Sequence, residues 1–456
     1  MRNRISETID SSDIVSRNVI RGVFLLLILA SGGFVAGTAV GGQEDPVSTE
    51  VTGDASFENL VVTSHGNERQ SRLAAYNSSG DLYYENSTFS RYFDVDPVPN
   101  TTHTVEVVAA EYITDGECSQ QTCTRNMILR VNLSTRESEQ IFTHITPEIG
   151  NTRWHDADRI SESEYVIADI YSDSVWVVNT TTEEVTWRWN MQSRYPISSG
   201  GDWPDDWTHM NDVEVVSGDR IMISPRNHDQ VIFLDPGSGV QENYTLGSDG
   251  DRETLYEQHN PDFIPEPQGG PAVLVADSQN DRVVEYQRVN GSWEQEWTYR
   301  SGRTAWVRDA DRLPNGNTLI TGTNSNVVFE IDQNNTLQWE VSVEKPYDAE
   351  ILETGDESAG GESAKELELD SSTATSDSEG GGGFSLSRIA NFGISIVPDK
   401  IVNAIKYVLP LWMGKEQVVA LFAFLAAVTT WTTVEYRWSR IAISFGSPIQ
   451  IVKRDR

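Results

Sequence analysis

Between residues 55 and 352, apolar and β-branched residues come in short runs separated by Gly, Asn, Asp and Ser. Glu164-Tyr-Val-Ile-Ala-Asp169 is followed by Val175-Trp-Val-Val-Asn179 and Val185-Thr-Trp-Arg-Trp189. Asp219-Arg-Ile-Met-Ile-Ser224 leads to Val231-Ile-Phe-Leu-Asp235 and Tyr244-Thr-Leu246. Asn315-Gly-Asn-Thr-Leu-Ile320 leads to Val327-Val-Phe-Glu-Ile-Asp332 and Leu337-Gln-Trp-Glu-Val341. Runs of this length and composition, bounded by turn residues, predict strands joined by tight turns.

Each group of three runs follows a recurring tetrad in which a carboxylate stands three residues after its first member. The tetrads begin at His103, His155, His209, His259, Arg308 and Tyr347, in steps of 52, 54, 50, 49 and 39 residues. With a strand begun by the tetrad, every unit has four strands, and four-stranded sheets repeated about an axis make a β-propeller. The last tetrad lacks three following strands. Asn59-Leu-Val-Val-Thr63, Arg72-Leu-Ala-Ala-Tyr76 and Asp81-Leu-Tyr-Tyr-Glu85 supply them from the other end. The prediction is all-β: a six-bladed β-propeller over 55–352 whose closing blade is shared between the two ends, leaving no unpaired ring edge.

Outside the propeller the pattern changes. Val23 to Gly42 is a continuous apolar run preceded by Arg2, Arg4, Arg17 and Arg21. It predicts a transmembrane anchor over 23–42 after a cytoplasmic tail over 1–22, with a signal peptide as the alternative. Val418 to Val434 predicts a second transmembrane helix over 416–436, followed by a basic cytoplasmic tail over 437–456. Basic flanks outside both runs place the tails in the cytoplasm and the propeller on the extracellular side of the cell membrane. The acidic, Gly- and Ser-rich stretch 353–384 reads as a solvated linker. Residues 385–415 read as an amphipathic juxtamembrane segment.

Composition narrows the setting. Lys and Arg total 34 against 69 Asp and Glu, for a net charge of −35, and only six residues are lysine. Such excess acid is how halophilic proteins stay solvated, and it leaves no basic footprint for nucleic acid. Eight Asn-x-Ser/Thr sequons, at Asn77, Asn86, Asn100, Asn132, Asn179, Asn243, Asn290 and Asn334, all fall within the propeller, as expected of a glycoprotein domain outside the cell. The only cysteines, Cys118 and Cys123, sit in a polar loop at a spacing that allows a local disulfide in an oxidising compartment.

In a propeller the first strand of each blade faces the central channel. If each tetrad begins such a strand, His103, His155, His209, His259, Arg308 and Tyr347 meet at one mouth. The loop between strands two and three opens on the same side and brings Arg226. Cationic and proton-transfer groups gathered in so acidic a chain favour a small anion. The carboxylates three residues on are expected to tie blades together through neighbouring backbone. Three histidines from separate blades also allow a metal site in a lyase or hydrolase.

The motifs Asp206-Trp-Thr-His209-Met-Asn211-Asp-Val213, Ile223-Ser-Pro-Arg226-Asn227, Glu257-Gln-His259 and Pro314-Asn-Gly-Asn-Thr-Leu319 resemble the bacterial-type arylsulfate sulfotransferase family. The resemblance covers roughly 150–350. It implies a six-bladed propeller with a histidine nucleophile at position His259, and His155, His209, Asn211 and Arg226 binding the sulfuryl group and handling protons. Arg308, Tyr347 and His103 would border the substrates, an aryl sulfate and a phenolic acceptor, with no cofactor and no metal. The chain departs from that family in lacking a sizeable N-terminal β domain and in its C-terminal apolar segment. The alternative is a non-catalytic, membrane-tethered binding or assembly module at the cell surface.

Overall fold

The computed structural model describes residues 11–41, 51–53, 55, 57–65, 71–114, 118, 121–216, 220–373, 403–404, 415–439, 441–444 and 450–453. They fall into two compact units, Val47–Gly380 and the paired terminal segments Met1–Pro46 with Gly381–Arg456.

The larger unit is a six-bladed propeller. Blade I is Arg91–Pro97, Thr104–Ile113, Cys123–Asn132 and Glu137–Pro147. Blade II is Ala157–Arg159, Glu164–Asp169, Ser174–Asn179 and Glu184–Asn190. Blade III is Met210–Val216, Arg220–Pro225, Gln230–Asp235 and an outer strand split into Gly239–Val240 and Leu246–Gly247. Blade IV is His259–Ile264, Ala272–Asp277, Arg282–Val289 and Ser292–Tyr299. Blade V is Val307–Arg312, Thr318–Gly322, Val327–Ile331 and Leu337–Ser342, with Thr52–Gly53 added outside. Every pairing within a blade is antiparallel.

Blade VI closes the ring as its sequence predicts. Pro346–Ile351 is its inner strand and Asn59–Ser64, Arg72–Asn77 and Leu82–Asn86 are its outer three. The register sets Leu60 opposite Ile351 and Val62 opposite Ala349. Leu60, Val62, Ala349 and Ile351 pack with Trp339 and Val341 of blade V in one buried cluster, so the closure is held by apolar burial as well as by backbone hydrogen bonds.

Two tetrads are read differently by the structure. His103 does not begin an inner strand: it lies in the hairpin between the first two strands of blade I, at the opposite end from the mouth. The inner strand of that blade carries Phe93-Asp-Val-Asp-Pro97 instead. In blade III, Asn211 rather than His209 aligns with His155. His209 is left-handed (φ 45°), as are Glu257 (φ 47°), Trp306 (φ 49°) and Lys345 (φ 46°), each two residues before the ring position of its blade. The repeat is therefore Phe93, His155, Asn211, His259, Arg308 and Tyr347. It is followed by an acid-rich position in each blade (Asp94, Asp156, Asp212, Asn260, Asp309, Asp348) and by an acid two residues further on (Asp96, Asp158, Glu214, Asp262, Asp311, Glu350).

These acids stitch blade to blade. Asp348 accepts the Val95 N–H at 2.7 Å, Asp158 the Val215 N–H at 2.6 Å, Glu214 the Phe263 N–H at 2.9 Å and Asp309 the Ala349 N–H at 3.3 Å. Asp156 accepts from Val213. A second set of clasps lies further out. Asp229, Asp281 and Asn326, all left-handed, accept the N–H of Glu257, Trp306 and Lys345 in the next blade. Each satisfies a buried donor that the sheet ladder leaves over.

Of the stretch 353–384, expected to be a solvated linker, residues 353–373 are packed against the propeller and 374–384 lie outside the described residues. Ser358 Oγ accepts from the Arg312 N–H at 2.8 Å and donates to Asp262. The Ala364 N–H bonds Glu285, which also pairs with buried Arg312 at 3.0 Å. Ser372 then bridges to Tyr299 along the outer edge of blade IV. Cys118 and Cys123 are disulfide-bonded, closing the loop between the second and third strands of blade I.

In the terminal unit, Ser11–Gly41 is one helix, and its Arg17–Ala36 stretch, of mean hydropathy 2.2, is long and apolar enough to cross a membrane. A signal sequence would meet the same measure. It is the one such helix among the described residues. Lys415–Trp438 is also helical, but Thr429, Thr430, Thr432, Thr433 and Glu435 dilute its apolar run and a second span is not established. The two helices pack antiparallel: Arg21 pairs with Glu435 at 2.8 Å, while Gly32 faces the Phe424 ring. Ile441–Ser444 and Gln450–Lys453 pair as a hairpin. The amphipathic segment predicted over 385–415 lies, apart from residues 403–404 and 415, outside the described residues.

Candidate functional site

The first strands of neighbouring blades contact one another around the axis. Side chains that enter at their N-terminal ends are gathered at one mouth. His155 and His209 rings lie 5.1 Å apart, His155 and Tyr347 5.9 Å, and His259 and Tyr347 6.2 Å. The Arg308 guanidinium stands 4.9 Å over the Tyr347 ring and 4.7 Å over Trp306. Of the predicted residues, His155, His209, His259, Arg308, Tyr347 and Asn211 are brought together, Arg226 joins them through Asp206, and His103 is excluded.

His259 has the most defined environment. Its Nδ1 lies 2.8 Å from Ser278 Oγ and 3.2 Å from the Glu257 carbonyl. Ser278 Oγ in turn donates to the Ala276 carbonyl at 3.3 Å. A carbonyl only accepts, so the proton of the neutral ring sits on Nδ1 and Nε2 carries a lone pair. Nε2 is buried without a hydrogen-bond partner among the described residues. Burial, then the charges of Arg308 and Arg226, hold the ring's pKa well below the ordinary histidine value. His259 is thus an unprotonated, oriented imidazole at neutral pH.

His209 is built differently. Its Nδ1–H donates to Asp206 at 2.5 Å, and Asp206 also faces Arg226 at 3.5 Å. Burial, followed by Arg226, brings His209 down to about 4 against the opposing pull of Asp206. Burial raises the Asp206 carboxyl, but the His209 hydrogen bond and Arg226 together bring it to about 2. The pair at neutral pH is a carboxylate holding a neutral imidazole, an arrangement suited to accept a proton at Nε2. Arg226 opens the short turn Arg226–His228 between strands two and three, as the sequence predicts, and its Nε donates to Asn227 at 3.0 Å. Asn211 Nδ2 donates to the Gln258 carbonyl at 2.7 Å, and its Oδ1 has no hydrogen-bond partner among the described residues.

Four further residues belong to the site. His65 stacks on Tyr347 at 4.5 Å and lies 6.3 Å from His155. Burial, then Arg308, depresses its pKa too. Arg153 lies over Phe93 and donates to Tyr112 at 2.6 Å. Phe93 sits 4.4 Å from the His155 ring, and Ser278 orients His259. His65 and Ser278 lie at the strand-two ends of blades VI and IV, the place that singles out Arg226 in blade III; applied to every blade, the same rule finds them. Trp154 and Trp207 are buried between elements, a packing role.

Below the mouth the chemistry inverts. The acids that follow the ring position are crowded between the inner strands, joined by Asp356 and Glu357 from the packed C-terminal segment. Burial pushes Asp156 and Asp309 up to about 8 and Asp158 to about 6. Burial and their acidic neighbours raise Asp262, Asp311 and Glu350 as well. Desolvated like charges cannot all ionise, so these carboxyls share protons at neutral pH. A cavity of about 370 Å³ opens at that end, lined by Asp158, Arg159, Glu214, Phe263, Asp356 and Glu357. Among the described residues no three His, Cys, Asp or Glu side chains are disposed around one point as a metal would need.

No family model and no curated protein matches the chain. Solved structures do resemble it in shape. A protein of unknown function from Bacteroides caccae aligns with TM-score 0.44 and 11% identity, over 64% of this chain and 98% of its own. A periplasmic gluconolactonase from Pseudomonas aeruginosa aligns with TM-score 0.40 and 12% identity, over 65% and 99%. A virginiamycin B lyase from Staphylococcus aureus aligns with TM-score 0.40 and 8% identity, over 65% and 85%. At such identities no residue role passes from them to this chain; what stands is an all-β, six-bladed propeller with a histidine- and arginine-rich mouth.

Proposed function

We propose that the mouth transfers a sulfuryl group from an aryl sulfate to a phenolic acceptor through His259. One observation carries the reading: His259 is a neutral imidazole whose Nδ1–H is fixed by Ser278 and whose Nε2 is bare. Nε2 attacks sulfur, the S–O bond to the aryl group breaks, and the phenolate leaves with the electron pair. Arg308, with Arg226 alongside, neutralises charge on the sulfuryl oxygens, as cationic clamps do in group transfer. In the second half His209, held by Asp206, takes the proton of the acceptor hydroxyl, whose oxygen attacks sulfur and releases His259. A pKa near 4 makes His209 a base at neutral pH rather than the acid that assists departure. Arg2, Arg4, Arg17 and Arg21, ahead of the apolar run that begins at Val23, support an anchored chain with its propeller outside the cell.

The test is incubation with an aryl sulfate alone, at high salt, followed by peptide mass analysis. A gain of one sulfuryl group on the His259 peptide, discharged by added phenol, is the expected result. Modification at His155 or His209 instead would move the nucleophile. A second reading has its own support: Tyr347, His155, His65 and Phe93 pack on one another and leave the ring almost unexposed, as in a binding module without turnover. Release of no phenol and modification of no peptide, with any aryl sulfate tried, favours that reading.

A further inference from the structure

Strand direction sorts the eight sequons onto faces. The hairpins between the third and fourth strands open at the end of the propeller away from the mouth. Five blades carry a sequon there: Asn77 in blade VI, Asn132 in I, Asn179 in II, Asn290 in IV and Asn334 in V. Asn100 lies in the hairpin between the first two strands of blade I, at the same end. Asn243 lies in the short turn that interrupts the outer strand of blade III. Only Asn86, where blade VI leads into blade I, is at the end facing the mouth.

Turn chemistry does not require asparagine at these places. Asn77 Oδ1 accepts from Ser79 and Asp81, Asn132 Oδ1 from Ser134 and Thr135, and Asn179 Oδ1 from Thr181 and Thr182. Asp235 does the same for Gly237 and Ser238 in blade III, and Asp332 for Asn334 and Thr336 in blade V. An aspartate serves the turn as well as an asparagine, and this chain otherwise favours acid. In blade V the turn already has Asp332, yet Asn334 still opens a sequon and is exposed. Asn86 Oδ1 accepts from the Tyr92 hydroxyl and the Thr88 N–H at 2.9 Å each, and its Nδ2 lies 3.5 Å from the Tyr84 hydroxyl.

We propose that the hairpin asparagines Asn77, Asn132, Asn179, Asn290 and Asn334 are glycosylated, so that one face of the propeller is sugar-coated and the histidine–arginine face is left bare. In each modification Asn Nδ2 loses a proton and bonds to C1 of a saccharide. The C1–O bond to the phosphate of a lipid-linked donor breaks, and the phosphate leaves with the electron pair. The donor and its transferase lie outside the cell, so the proposal rests on the external placement of the propeller.

The experiment is glycopeptide mass analysis of the full-length protein from its own membranes, alongside protease treatment of intact cells. The expected result is saccharide on the five hairpin peptides and a bare Asn86 peptide. Five bare hairpin peptides from a propeller that protease reaches in intact cells overturn the proposal and leave the placement standing. Five bare peptides from a protected propeller overturn both. An Asn86 peptide modified as fully as the hairpin peptides overturns the face-selective assignment.

Discussion

Ser278 Oγ accepts the Nδ1–H of His259 at 2.8 Å, and together with the Glu257 carbonyl at 3.2 Å it holds the ring proton on Nδ1. Ser278→Ala removes the shorter of these two contacts and loosens the ring. Formation of the sulfo-enzyme from donor alone should slow by about 10²-fold, the scale for a misplaced reacting group, while the melting temperature changes little. Ser278→Thr, which keeps the hydroxyl, should recover most of the rate.

Arg308 and Arg226 are not equivalent. Arg308 is first among the charges acting on His259, whereas Arg226 is held by Asp206 and Asn227. Arg308→Ala should lower the rate of intermediate formation by about 10²–10³-fold, the range for losing one preorganised donor, and Arg226→Ala by less. His103→Ala should leave rate and stability unchanged, because that residue lies at the other end of blade I. Single-turnover kinetics of the three variants checks the order.

The pH dependence has two opposed parts. His209 has its folded pKa lowered to about 4. Between that value and the ordinary histidine value the unfolded chain binds more protons, so this group favours folding increasingly as pH rises through that window. Asp156 and Asp309 have folded values raised to about 8. Their protons are held in the folded state, so the stability they confer is lost as pH rises from the ordinary carboxyl range through 8. Two carboxyls outweigh one imidazole, so the melting temperature should fall as pH rises from 4 to 8, most steeply above pH 6 where the His209 contribution is complete. Asp311→Asn, at a carboxyl raised by burial and by its neighbours Asp309 and Asp262, should flatten the alkaline fall. Thermal melts across that range at fixed salt are the measurement, and an unchanged alkaline limb in the variant sinks the account.

Ser358→Ala removes the acceptor of the Arg312 N–H and the donor to Asp262 in one change. A buried polar group left unsatisfied costs about 1–3 kcal/mol, so denaturant midpoints should fall accordingly. Midpoints equal to those of the unsubstituted protein would return residues 353–373 to the status of a passive linker.

Much of this molecule is legible in the residue pattern, and the errors have physical causes. The closing blade was readable because Asn59–Thr63 and Tyr347–Glu350 each carry a strand's pattern in want of a partner. Blade I escapes the tetrad pattern because its ring position is Phe93, which has no acid–base chemistry; the carboxylates Asp94 and Asp96 mark the repeat more faithfully than the histidines do. Asp212, three residues after His209, gives that histidine the look of a ring residue, whereas the left-handed backbone at His209 shifts the true match to Asn211. Ser358, Ser363 and Ala364 are buried but small, so the segment that packs beside Arg312 leaves no apolar signature. Hydrophobic periodicity sees large side chains, and this part of the fold is secured by backbone hydrogen bonds to carboxylates.

The register that sets Leu60 against Ile351 also orders events in time. As the chain emerges, the three outer strands of blade VI are made first, and their fourth partner arrives only after every other blade has been synthesised. Those early strands cannot be completed by anything nearer in sequence. Such long-range pairing makes a slow, late folding step, and a growing chain that pauses before residue 346 exposes a strand edge open to misassembly. Production of this protein is consequently most vulnerable not where its chemistry lies but in the interval before its last strand is delivered.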